Sequence, residues 1–89
     1  MSLRLRRDIT ARDTGTGMVL LDERKGRYWQ LNATGALVLR ALLGGATPEE
    51  AAGRLAADRQ VAPEQAAADV GALIERLTSV RLAEPLPRT

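Results

Sequence analysis

At 89 residues, 45% apolar and with a formal charge of +2, the chain is expected to form one small domain with little room for a deep substrate pocket. It has no Cys and no His, which excludes disulfides, thiolate nucleophiles and Cys-based metal sites and removes the commonest general base and metal ligand. No window approaches the run of about 18 apolar residues that a membrane span requires, and the start, "MSLRLRRDIT", has charge but no apolar stretch after it, unlike a secretory signal. A non-catalytic, cytoplasmic protein without metal or cofactor is the simplest expectation.

The first third reads as β. In "LRLRRDI", Leu3, Leu5 and Ile9 alternate with arginines, the pattern of a half-buried strand over residues 3–9. "RDTGTG" follows as a loop broken by Gly15 and Gly17. "MVLLD" and "RYWQL" then form a hairpin around the four-residue turn "ERKG", with Gly26 at positive φ. The three strands are predicted to form an antiparallel meander in the order 1-2-3, with the third on an edge. That third strand holds both aromatic residues of the chain, Tyr28 and Trp29. Adjacent strand residues face opposite ways, so Trp29 and Leu31 are expected to pack inward while Tyr28 and Gln30 face away.

The remainder reads as three helices. "ATGALVLRALLGG" is apolar nearly all round and predicts a central buried helix. Asn32 or Thr34 supplies its N-cap, and Gly44 and Gly45 end it. "TPEE" is a capping-box signature at Thr47 and Glu50. Pro63 opens the last helix, whose apolar stripe runs through Ala66, Val70, Leu73, Ile74 and Leu77. Pro85 and Pro87 predict an irregular tail over residues 85–89 after a single domain spanning 1–84. The order βββααα is an α+β arrangement, a three-stranded antiparallel sheet followed by three helices, and fits a winged helix-turn-helix with its wing strands first.

"YWQLNATG", "LLGGATPEEAA" and "AADVGALIERL" together resemble the PqqD-like family of leader-peptide recognition domains from ribosomal natural-product pathways. The resemblance runs from about Gly17 to Leu82 and is most specific at Leu31-Asn32-x-Thr34-Gly35, with a Gly-x-Thr step about ten residues later. Within the family the chain looks most like the stand-alone members of lasso-peptide clusters. Two departures stand out: Ala62 where the family often has Asp or Asn before the last helix, and Arg81-Leu82 where it tends to have Gly-Leu. The resemblance implies that a precursor's leader adds as an extra strand to the third strand and lies against the last helix. The partners it implies are that leader and a separate leader peptidase of cysteine-protease type. The implied peptide-binding residues are Arg27, Tyr28, Trp29, Gln30 and Leu31 on the strand, with Ala66, Asp69, Val70, Leu73 and Arg76 on the helix. In this reading Ala66, Val70 and Leu73 line the groove while Ile74 and Leu77 pack inward; the other reading makes the whole stripe core. The free edge would also permit a weak homodimer.

The residues leave rivals open. A DNA-binding winged helix is the first. Residues 1–30 carry seven basic and four acidic side chains, and Arg4, Arg6, Arg7 and Arg12 would suit a nucleic-acid arm, though charge on an edge strand also blocks aggregation. Against it, the last helix carries Glu64, Asp69 and Glu75 with Arg76 alone, and the phosphate backbone would repel it. An assembly domain for a folded partner is the second rival; a small hydrolase, the third, lacks its side chains.

Overall fold

The computed structural model describes residues 3–85. Its elements are β1 (Leu3–Leu5), β2 (Ile9–Asp13), β3 (Gly17–Asp22), β4 (Arg27–Asn32), α1 (Ala33–Leu43), α2 (Pro48–Arg59), α3 (Pro63–Ser79) and β5 (Ala83–Pro85). β2, β3 and β4 form the expected antiparallel meander, with Leu20 opposite Trp29 and Met18 opposite Leu31. α1 covers one face of it: Met18 and Leu20 are buried, whereas Leu21 and Tyr28 on the other face are exposed. Among the described residues the architecture is α+β, as predicted.

Two local expectations change. The first predicted strand, residues 3–9, splits into β1 and β2 at Arg6–Asp8, where the Ile9 N–H donates to the Arg6 carbonyl at 3.0 Å. Strict alternation would aim Arg7 at the core along with Leu3 and Ile9. The turn instead leaves Arg7 exposed and both apolar residues buried. β2 then runs on through Arg12 and Asp13, and Gly17 opens β3, so the predicted loop "RDTGTG" shrinks to three residues. At the other end Pro85, the first residue of the predicted tail, belongs instead to the strand Ala83–Pro85. That strand pairs antiparallel with β1, Leu5 opposite Ala83 and Leu3 opposite Pro85, and Arg4 Nε lies 3.1 Å from Glu84. Pro85 is tolerated because it closes a short edge strand. The rest of the predicted tail, residues 86–89, lies outside the described residues.

α1 is the hub. Ala36, Val38, Leu39, Ala41 and Leu42 are buried, and the helix packs on β1, β3, β4 and α2. Its charged residue, Arg40, turns outward to Asp13 of β2, Nε to Oδ1 3.0 Å. β4 passes into α1 with no loop between them, because Asn32 is both the last strand residue and the N-cap, its Oδ1 accepting the Gly35 N–H at 2.8 Å. That junction fixes the direction of β4 against the core.

The α2 capping box forms as predicted: Thr47 Oγ1 accepts the Glu50 N–H, and Glu50 accepts the Thr47 N–H at 2.9 Å. This backbone hydrogen bond, aided by the Thr47 hydroxyl, holds the Glu50 carboxyl below its ordinary pKa. A depressed folded-state pKa contributes stability that is present above the unfolded value and lost as pH falls through the folded one.

α3 begins with Ala62 at the N-cap and no side-chain hydrogen bond. Ala62→Asp is therefore expected to raise stability by about 1 kcal/mol, read as a Tm increase of about 4–8 °C for a domain of this size. At its far end α3 closes in a Schellman motif: the Arg81 N–H donates to Thr78 and the Leu82 N–H to Leu77, with Leu82 fully buried. Arg81 takes the left-handed position usual for glycine, φ 62°. The departure from Gly-Leu thus keeps the cap geometry, at a cost of about 1–2 kcal/mol for a side chain in that region.

Candidate functional site

β4 hydrogen-bonds to β3 on one side. Among the described residues no strand lies on its other side, and an unpaired edge offers a row of backbone donors and acceptors. All five strand residues singled out in the sequence lie on it. Trp29 and Leu31 are half-buried and pack against the core, while Tyr28 is 65% exposed and Gln30 is exposed beside it. Arg27 shares the Trp29 face, with its guanidinium carbon 5.0 Å from the Trp29 ring centroid, within cation–π range.

α3 distributes its stripe differently from the expectation. Ala66, Val70 and Leu77 are buried, at 0%, 1% and 2% exposure, whereas Leu73 and Ile74 are half-buried. At about 100° per residue, Ala66, Val70 and Leu77 mark the middle of the stripe and Leu73 and Ile74 its two edges. Ala66 and Val70 thus lie in the core, as the reading that makes the stripe core has them, while Leu73 and Ile74 both reach the surface. Asp69 is half-buried and accepts a hydrogen bond from Gln65 Nε2 at 2.8 Å; Arg76 is exposed.

α3 packs on α2 and β5 and makes no extensive contact with β4. The half-buried side chains of both elements, Trp29 and Leu31 on one and Leu73 and Ile74 on the other, rest on the same core. A broad hollow of about 640 Å³ between α1 and α2 is lined by Leu37, Arg40 and Arg54 among others, with none of the predicted site residues. Among the described residues no cluster of three metal-ligating side chains occurs, and no helix is long and apolar enough to cross a membrane. Buried side-chain polar atoms there all have partners.

Three helices and antiparallel sheets, with one edge of β4 open among the described residues, make a small α+β domain with a winged helix-turn-helix-like fold. The chain belongs to the PqqD family, that of coenzyme PQQ synthesis protein D, which it matches over residues 17–83. It is similar to a solved structure described as "Lasso peptide synthetase B1 complexed with the leader peptide", at 41% identity and a TM-score of 0.89, over 96% of this chain and 100% of that one. A second, "TbiB1 in Complex with the TbiA(beta) Leader Peptide", shares the fold at 23% identity and a TM-score of 0.84, over 99% and 100% of the two chains. No curated protein matches the chain. The resemblance read from "YWQLNATG" and the last helix is borne out.

Proposed function

We propose that this protein binds the leader segment of a ribosomally made precursor, of the lasso-peptide kind, and takes no part in bond making itself. The observation that carries the reading is the 41% identity, over nearly the whole chain, to a lasso peptide synthetase B1 solved with its leader. The free edge of β4 supplies the physical means. The leader adds as a strand along Arg27–Leu31, where main-chain hydrogen bonds give affinity and pockets for alternate side chains give specificity. Trp29 and Leu31 form one wall and an edge of the α3 stripe the other, with Asp69 and Arg76 flanking. Ala66 and Val70 hold the floor rigid without touching the ligand.

Bound in extended form, the leader is delivered to a separate peptidase, of cysteine-protease type by family resemblance. Tethering raises the effective concentration of the cleavage site at the enzyme. The encounter takes place in the cytoplasm, where the precursor is made. Without leader the same edge pairs weakly with a second copy, and sedimentation should detect a dimer that added leader dissolves. The acidic side chains of α3, Glu64, Asp69 and Glu75, disfavour a nucleic acid in its place.

Trp29 is the protein's one tryptophan and sits on the proposed strand, so no label is needed. Titrating the leader of the precursor encoded with this protein should shift Trp29 emission saturably, at micromolar affinity or tighter, while random duplex DNA leaves it unchanged. Salt-sensitive DNA binding with no response to the leader would overturn the reading.

A further inference from the structure

Three turns that are distant in the sequence converge on a cleft of about 410 Å³: Arg6–Asp8 between β1 and β2, Arg24–Lys25 between β3 and β4, and Val80–Arg81 after α3. Five cations line it: Arg6, Arg7, Arg24, Lys25 and Arg81. The two acids present are already engaged. Asp8 lies 3.6 Å from Arg24. Asp22 is 8% exposed, and its Oδ1 accepts the Arg24 and Lys25 N–H groups at 3.2 and 3.1 Å. Arg6 pairs outside the cleft with Glu84, at 3.5 Å. Among the described residues Arg7, Lys25 and Arg81 have no carboxylate within ion-pair distance.

Arg81 is the telling member. A Schellman position at φ 62° favours glycine, yet it holds an exposed arginine at the mouth of a cationic cleft. A side chain kept in a sparsely populated conformation is a pointer to function. The cleft's position says which function. It takes in the turn leading into β4, where Asp22 stands opposite Arg27, the first residue of that strand, and it takes in the C-terminal end of α3. A peptide lying along β4 and α3 and leaving at this end meets the three uncompensated cations.

Resting on the leader-binding reading, we infer that this cleft receives the carboxylates of an acidic stretch flanking the part of the leader that pairs with β4. The hydrophobic wall and strand edge hold the leader, and the cleft sets its register and draws it in by charge. An exposed cationic site of this kind adds a modest, salt-sensitive factor to the affinity.

The test uses the full protein, the leader of the precursor encoded with it, and a second peptide with the flanking Asp and Glu changed to Asn and Gln. Arg81→Gly is the informative variant, because structure and binding should move in opposite directions. Its Tm is expected to stay equal or rise, while affinity for the natural leader falls roughly 3-fold at low salt. Arg7→Gln with Lys25→Gln should lower it roughly 10-fold, and both losses should largely vanish near 500 mM NaCl, where the Debye length is only about 4–5 Å. The neutralised leader should bind all three proteins alike. Wild-type affinity of both variants for the natural leader at low salt, with Trp29 still reporting saturable binding, would overturn the inference and leave the leader reading standing. So would a leader with no acidic residue beside its strand-forming stretch, or inorganic phosphate that binds the cleft without weakening the leader. Absence of any leader binding by the wild type would overturn both.

Discussion

Gly17→Ala is expected to destabilise the protein by about 3 kcal/mol or more, the upper range for a side chain forced into a packed site. Gly17 opens β3 opposite Asn32. A Cβ there would fall on the Leu31 carbonyl oxygen, with the Leu31 and Asn32 carbonyl carbons each at 3.1 Å. These are backbone atoms, so no rotamer change relieves the clash. The strand pair must part at the point where β4 passes into α1, which also disturbs the Asn32 cap. For a chain of this length total stability is on the order of 5–13 kcal/mol, so the loss is a large fraction of it. Gly53→Ala is the internal control: in α2 an added Cβ meets nothing within 4 Å, and the change should stabilise by about 0.5–1 kcal/mol. Urea unfolding of the two variants beside the wild type reads both signs. A Gly17→Ala midpoint equal to the wild type would mean that β3 and β4 are not so closely paired at that end.

The contrast between these glycines illustrates what the sequence discloses. Gly26 was legible as a positive-φ turn residue, because the turn "ERKG" lies between two apolar runs, and it has φ 63°. Gly17 read as a loop breaker, because the carbonyl it must clear belongs to a strand 14 positions further on. Local chemistry was legible wherever both partners lie within a few residues: the Thr47–Glu50 box, the Asn32 cap, the inward Trp29 and outward Tyr28. Pairing of β1 with β5 was not, since Leu3 and Pro85 stand at opposite ends of the described chain and nothing local to Ala83–Pro85 marks it as a strand. The basic cleft was hidden for the same reason. Arg7, Lys25 and Arg81 belong to three separate turns, and only the fold brings them to one rim. On α3 the period marked the stripe correctly, but not which of its members lie deepest. That depends on how α2 and β5 seat the helix, which buries Ala66 and Val70 and leaves Leu73 and Ile74 half-buried.

Leu73→Asp is expected to lower leader affinity at least tenfold while the circular-dichroism spectrum stays helical. Leu73 is half-buried on one edge of the α3 stripe. A leader side chain packed on it would lose an apolar contact worth up to about 1.5 kcal/mol. It would also have to strip water from a carboxylate, an uncompensated cost of several kcal/mol that the complex escapes only by leaving the site open. Val70→Asp is no substitute as a test: that side chain is 1% exposed, and a buried charge would unfold the domain before it reported on binding. Ile74→Asp is the right companion. Leu73 and Ile74 sit on opposite edges of the stripe, about 100° apart around the helix, so a leader held between β4 and α3 would touch only one of them. Each change removes a similar apolar area and should cost similar stability, measured by urea unfolding, so their difference in leader affinity isolates the side on which the peptide lies. A loss confined to Leu73→Asp puts the leader between β4 and that edge. If only Ile74→Asp weakens binding, the groove lies on the other edge and Leu73 belongs to the core alone. Unchanged affinity in both variants would remove α3 from the site and leave β4 and its cationic end to bind the leader unaided.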